Sequence, residues 1–417
     1  MSSSYLKSAG LRRSVVGALA VAFVLPAGAA VAAETYMQPG LNLSTEVYDN
    51  FDMEPKTNSD SDVWGYIAEL ETLIGIATPR SDTSILPRLR FQQYPDRPDR
   101  DALEGFLDLE SQYRWERSEF NVLAKYDHQD AYNTLLPGAG FDDFDPLDPS
   151  TPTSARVRQA KETRDRLEFR PDYTFDVSER VRVGVEGSYE NVDFNSDALV
   201  QTQVDYENTD LGGSVSWALN PRSNARLGAF GSRYEAKNGS SAADSYGADI
   251  GYGYSWSEVA GAGLSVFYEK SDSTSYVPVR TDESFSGWGG NFTAYWKGPA
   301  SQWRLTTGRA YRPSDKGGRE TSDQFRVQYK RKLTARLKFD GAGRYVRERA
   351  LDSRSSSSDR DYARLDLSLR WMISPTLYLG GGYSYLWQEY MSVGGSTAAS
   401  NRLFVSFGYS GLGRESR

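Results

Sequence analysis

The feature that most limits the fold of this chain is a two-residue alternation repeated from Leu41 almost to its end. In "ARLDLSLRW", Leu365, Leu367, Leu369 and Trp371 fall on one face of an extended strand, and Arg364, Asp366, Ser368 and Arg370 fall on the other. Successive strand side chains point to opposite faces, so this period belongs to β-structure. The same split recurs in "QFRVQYKR", where Phe325, Val327 and Tyr329 oppose Arg326, Gln328 and Lys330. It appears again in "ARLKFDGAGRY", "LEFRPDYTF" and "VRVGVEGSYE". In a soluble sandwich the charged face would meet bulk water and the apolar face a second sheet. The segment length favours the inverse arrangement, because about ten alternating residues cross a bilayer when the strand is tilted. The apolar face then meets lipid and the charged face an aqueous lumen.

The N-terminal segment agrees with export. Lys7, Arg12 and Arg13 precede an apolar run from Val15 to Leu25, followed by Pro26 and "AGAAVAAE". That is the order of a secretory signal peptide, and Ala30 and Ala32 place cleavage after Ala32, with Ala33 the second choice. The expected organisation is a signal peptide over 1–32 and a single outer-membrane barrel domain over 33–417. Removing the three leader cations takes the formal net charge from −8 to −11, an acidity that argues against nucleic acid as a partner. With no cysteine, the chain has no disulfide, thiolate metal site, cysteine nucleophile or lipid-modified cysteine. After the leader, no apolar stretch reaches the roughly 18 residues of a spanning helix. The 27 Tyr, 9 Trp, 18 Phe and 38 Gly, beside 25% charged residues, suit strands that meet lipid, interface and water in turn.

The alternation predicts eighteen strands, the first near 41–49, the eighth near 203–219, the fifteenth near 333–347 and the last near 399–410. Every second connector is tight: "TPRSD", "ERS", "VSER", "NPRS", "WSEV", "KGPAS", "KLT" and "ISPT". The others are longer and polar, among them "DNFDMEPKTNSDSD", the excursion from Asp127 to Glu162 and "RALDSRSSSSDRD". Short turns at one end and long loops at the other describe an all-β, transmembrane, antiparallel up-and-down β-barrel with both chain ends in the periplasm. No motif returns at a fixed period, which argues against a propeller or β-helix. Trp115, Trp256, Trp296, Trp371 and Trp387 are expected in the interfacial girdles.

Three groups of residues are candidates for chemistry. The single histidine, His128 in "YDHQDAY", has Asp127 and Asp130 beside it to orient a general base, but neighbours along one strand do not make a triad, so no catalysis is expected. Asp142, Asp143, Asp145 and Asp148 in "FDDFDPLDPS" gather carboxylates in a spacing unlike a calcium loop, and a solvated acidic loop is the expected reading, with no metal and no cofactor. The long excursion that contains them is a candidate constriction. The third group is a basic stripe on the lumen face of the thirteenth to sixteenth strands: Arg304, Arg326, Lys330, Arg336, Lys338, Arg344, Arg364 and Arg370, offset by Asp340 and Asp366. The N-terminal half has mixed signs instead, with Glu69, Glu71, Arg88, Arg90, Asp108, Glu110, Glu168, Arg170, Arg182 and Glu186. A basic wall attracts anions. Alternatively, these cations only neutralise carboxylates across a filled lumen.

The opening pair "PGLNLSTEVYDNF" and "YIAELETLIGIATPRSDTSILPRLRFQQYPD", with the aromatic-Asp-Asn motif at Tyr48, Asp49 and Asn50, and the continuation "DALEGFLDLESQYRWERSEFNVLAKYDHQDAY", resemble the β-barrel porins found beside exopolysaccharide biosynthesis and export operons. The resemblance is one of layout over nearly the whole chain after the leader. It implies an outer-membrane barrel that passes or supports secretion of a polysaccharide, and it supplies no catalytic residue. One departure is that "GLGRESR" follows the last strand, where an assembly signal commonly ends on an aromatic residue. The expected function is a conduit for an anionic exopolysaccharide, with outer-membrane lipid, lipopolysaccharide, a polysaccharide chain and its export machinery as partners. The alternatives are a general or anion-selective diffusion porin for small solutes, and a non-conducting structural barrel.

Overall fold

The computed structural model describes residues 33–53, 62–130, 162–196, 203–276, 280–314, 319–351, 359–390 and 396–411. The leader, the acidic loop with Asp142 to Asp148 and nearly all of the 127–162 excursion lie outside them.

The strands are β1 (Glu34–Tyr48), β2 (Val63–Ala77), β3 (Ser81–Gln93), β4 (Ala102–Arg114), β5 (Ser118–Asp130), β6 (Glu162–Ser178), β7 (Val181–Ser196), β8 (Tyr206–Asn220) and β9 (Ser223–Ala236). They continue as β10 (Ser241–Ser257), β11 (Ala260–Ser275), β12 (Thr281–Lys297), β13 (Ser301–Pro313), β14 (Arg319–Lys332), β15 (Leu337–Ala350), β16 (Arg360–Met372), β17 (Leu377–Tyr390) and β18 (Ser396–Ser410). Each pairs antiparallel with the next, and β1 also pairs with β18, closing an 18-stranded barrel. Closure gives the backbone of the wall partners on both sides, as a bilayer demands, except that the β12–β13 ladder covers only Gly290–Lys297 of β12.

The molecule is inside-out. Exposed apolar side chains form the outer surface, among them Leu43, Leu70, Leu227, Leu264, Phe325, Leu365, Leu369 and Trp371. The buried set is rich in ions, including Glu46, Glu69, Arg90, Glu104, Arg166, Glu168, Arg326, Arg364 and Arg402. An exposed apolar band of this extent fits a lipid surface and not water, so the protein is an outer-membrane barrel. Trp115, Trp256 and Trp371 are exposed on the outside, while Trp296 is half-buried opposite Trp303.

The tight turns follow from their hydroxyl and amide residues. Thr78 Oγ1 accepts the backbone N–H groups of Arg80 and Ser81, Ser178 Oγ those of Arg180 and Val181, and Asn220 Oδ1 that of Arg222. Thr334 and Ser374 do the same for their turns. These side chains stand in for the backbone acceptor that a two-residue reversal lacks.

Three of the boundary differences from the sequence reading have a local cause. β1 begins at Glu34, because Pro39 and Gly40 do not break it. Pairing with β18 starts only at Gly40, so the missing N–H of Pro39 falls just past that ladder. β8 begins at Tyr206 because Gln203 and Val204 fold inward, Val204 packing beside Tyr234, Ala236 and Ala243. β15 begins at Leu337, the turn reaching through Arg336.

Candidate functional site: a charged lumen

Register decides which cations share the lumen. Arg304 stands opposite Gln328, Arg326 opposite Thr306 and Arg344, Arg344 opposite Arg364, Lys330 opposite Asp340, and Lys338 opposite Arg370. All seven therefore project from one face, the face opposite the exposed apolar residues. Arg336 is the exception to the strand placement: it lies exposed in the β14–β15 turn and not in the wall of β15.

The stripe is graded along the barrel. Near the tight-turn end Arg304 and Lys338 are exposed, and Lys330 and Arg370 are half-buried. Deeper in, Arg326 and Arg364 are buried. The Arg370 guanidinium lies 5.0 Å from the centre of the Tyr378 ring. That ring is flat against the wall because its register partner is Gly408, where an added Cβ would come within 2.0 Å of Tyr378 Cζ.

Arg326, Arg344 and Arg364 form a row of three directly opposed guanidinium residues on β14, β15 and β16. Like charges facing each other across strands are destabilising, by up to about 1 kcal/mol per pair. The neighbouring carboxylates are already engaged. Asp366 accepts from Arg364 Nε at 2.7 Å and Nη2 at 2.8 Å, and from the Ser384 hydroxyl at 2.7 Å. Glu348 accepts from Arg312 and Arg360. Arg344 makes no hydrogen bond or ion pair with any described residue, and its buried Nε has no acceptor.

On β1–β7 and at the β18–β1 seam the buried arginines are paired. Arg90 Nε donates to Glu69 at 2.7 Å, Gln92 to Glu104 at 3.0 Å, and Arg402 Nε to Glu46 at 2.7 Å. Arg164 pairs with Asp127 at 2.7 Å, and Arg166 with Glu190 at 2.6 Å and Glu168 at 2.7 Å. Within the basic stripe Arg364 is paired with a carboxylate, and Arg344 is not. Arg164, Arg166, Arg312, Arg319, Arg360 and Arg402 were not among the expected lumen cations. Their parity would have found them: Arg402 alternates with Leu403 and Val405, and Arg164 and Arg166 with Leu167 and Phe169.

At the long-loop mouth the chain after β1 turns inward. Asp49 accepts from the backbone N–H of Asn401 at 2.7 Å and from its side-chain amide at 2.5 Å, and the Asn50 amide donates to the Ala399 carbonyl at 3.0 Å. Phe51 packs on Tyr48 and Tyr94 with ring centres 5.0 and 4.7 Å away. Met53, at φ 53°, packs on Leu386 and Ala398. Asp52 accepts from Arg97 at 2.7 Å and pairs with Arg100 at 3.1 Å, tying this segment to the β3–β4 connector. In that connector burial pushes the Asp99 carboxyl up, but the Arg97 hydrogen bond and the charges of Arg100 and Arg97 outweigh it and hold it below its ordinary range.

His128 is on the outside of the barrel. Its Nδ1 lies 2.8 Å from Asp165, which also accepts from the Tyr126 hydroxyl at 2.8 Å, whereas Asp127 points into the lumen toward Arg164. Asp165 on the neighbouring strand, and not Asp127, therefore orients the imidazole. Among the described residues no group of three His, Asp or Glu could hold a metal ion.

No family model and no curated protein matches the chain. Among solved structures it is similar to OpdL of Pseudomonas aeruginosa, with 13% identity, 90% of this chain and 99% of that one covered, and a TM-score of 0.43. It is also similar to OccK2 (OpdF) of Pseudomonas aeruginosa in complex with glucuronate, with 10% identity, 91% and 98% covered, and a TM-score of 0.43. A third similarity is to the copper transporter OprC, with 9% identity, 87% and 61% covered, and a TM-score of 0.47.

Proposed function

We propose that the barrel is a diffusion channel for small solutes with a preference for anions. The observation that carries this reading is Arg344, a lumen-facing guanidinium between two others with no carboxylate of its own among the described residues. Arg304, Lys338, Lys330 and Arg370 give the tight-turn vestibule a positive wall, which raises the local concentration of anions at low ionic strength. An anion that reaches the row relieves the repulsion among Arg326, Arg344 and Arg364, while on the opposite wall the buried arginines are already paired with carboxylates. The reading includes no catalytic step and no cofactor.

The conduit for an anionic exopolysaccharide would use the same row but needs a wide path. Inward Tyr94, Glu104, Val346 and Gln388 are 0% exposed, so the long-loop half of the lumen is densely filled, which favours small solutes. Uptake by proteoliposomes discriminates the two. Small mono- and dicarboxylates should enter several-fold faster than amines of equal size, and acidic oligosaccharides should neither enter nor block. Equal rates for anions and cations would overturn the anion preference, and passage of the oligosaccharide would restore the polymer conduit.

A further inference from the structure

Five of the tight turns share a feature that the channel reading does not use. Arg80, Arg117, Arg180, Arg222 and Arg336 occupy one turn position: the carbonyl of each accepts a backbone N–H from the neighbouring hairpin, from Arg114, Asp176, Ala218, Ser255 and Met372 respectively, at 2.7–2.8 Å. Four of them stand on consecutive turns, β2–β3, β4–β5, β6–β7 and β8–β9. All five side chains are exposed, and among the described residues none has a carboxylate partner. An arginine collar thus rings half of the periplasmic edge.

Between the first two turns the collar borders a shallow hollow. Arg80, Trp115, Glu116, Arg117, Ser118 and Tyr173 line an open hollow of about 450 Å³. Trp115 and Tyr173 belong to the lipid-facing surface, so the hollow opens toward the membrane interface and not only toward the lumen. The Trp115 ring lies 4.3 Å from that of Tyr113, which fixes its face. Phe120 stands level with Tyr173, Phe175 lies beside Ser118 at the turn, and on the bilayer side the outward face continues through Val122 to the exposed Phe169.

We propose that this hollow holds the headgroup of a phosphoethanolamine phospholipid of the inner leaflet. Two guanidinium groups recognise a phosphodiester by paired charge-assisted hydrogen bonds. Glu116 and the faces of Trp115 and Tyr173 suit the ammonium group, as carboxylate and π-surface both attract a compact cation. Phe120, Val122 and Phe169 carry the acyl chains upward. Aromatic residues with basic partners at headgroup depth anchor membrane proteins in general, and the added carboxylate is what selects ethanolamine here.

The test is native mass spectrometry of the full-length barrel released from detergent with equal amounts of phosphatidylethanolamine, phosphatidylglycerol and phosphatidylcholine. The wild type should retain phosphatidylethanolamine several-fold over the other two. R80Q/R117Q should lower that retention about tenfold, roughly 1.4 kcal/mol, and E116Q should erase the preference over phosphatidylglycerol. R180Q, on the collar but outside the hollow, should change neither. Equal retention by wild type and R80Q/R117Q overturns the site. A phosphatidylglycerol preference unaffected by E116Q overturns the ethanolamine assignment, and full displacement by water-soluble phosphoethanolamine shows a free-ligand site. Each variant is first checked for the heat-resistant gel migration of an intact barrel. No current is measured, so the outcome is independent of the channel reading.

Discussion

At the residue scale the lumen is a balance between paired and unpaired arginines. Removing one member of a buried pair leaves the other charge without a partner, at a cost of about 3–5 kcal/mol. D366A should therefore destabilise the barrel by that amount, read from the urea midpoint of unfolding in lipid vesicles, because it strands Arg364 beside Arg344. R344Q removes a charge that has no partner and should leave the midpoint unchanged or raise it. A small clash reports on pore shape: G408A pushes the Tyr378 ring off the wall, carries Arg370 with it and should lower single-channel conductance without unfolding the protein. The luminal face of these residues was legible from parity alone, since Arg326, Arg344 and Arg364 each alternate with apolar neighbours. Their partners were not legible, because Asp366 and Glu348 look equally available until register and side-chain direction assign them to Arg364, and to Arg312 and Arg360.

At the element scale the strands follow from alternation, and the turns from Thr, Ser and Asn placed to cap them. A lysine on the lipid face therefore carries a defined cost. L369K should destabilise the barrel by about 2–4 kcal/mol if Leu369 lies near the bilayer midplane, while S368K, on the lumen face of the same strand, should cost far less; unfolding midpoints in vesicles measure both. The segment 49–53 is the element that local pattern does not reveal. Its inward fold depends on Asn401, Ala399 and Leu386, more than 300 residues away in sequence, and no short-range signal encodes such contacts. The Tyr48-Asp49-Asn50 motif is visible in the sequence, and its physical role as a docking turn emerges only with β18 in place. Replacing Asp49 and Phe51 by alanine should release this segment from the mouth and raise conductance, a change that single-channel recording detects directly.

At the scale of the whole molecule, the barrel divides into a wall of mixed, largely paired charges on β1–β7 and a cationic wall on β13–β16. A net charge of −8 hides that asymmetry, since the acidic surplus sits elsewhere in the chain. Charge segregation across a lumen orients the field toward one wall, and the effect on permeation fades with ionic strength over a Debye length of about 10 Å at 0.1 M salt. The most direct test of an anion-preferring channel is the reversal potential of the purified protein in planar bilayers under a salt gradient, measured for the wild type and for R344Q. The account predicts a potential of the sign that anion preference gives, larger in dilute than in concentrated salt and reduced toward zero in R344Q with conductance retained. A wild-type potential at zero or of cationic sign, or one that R344Q leaves unchanged, would contradict it.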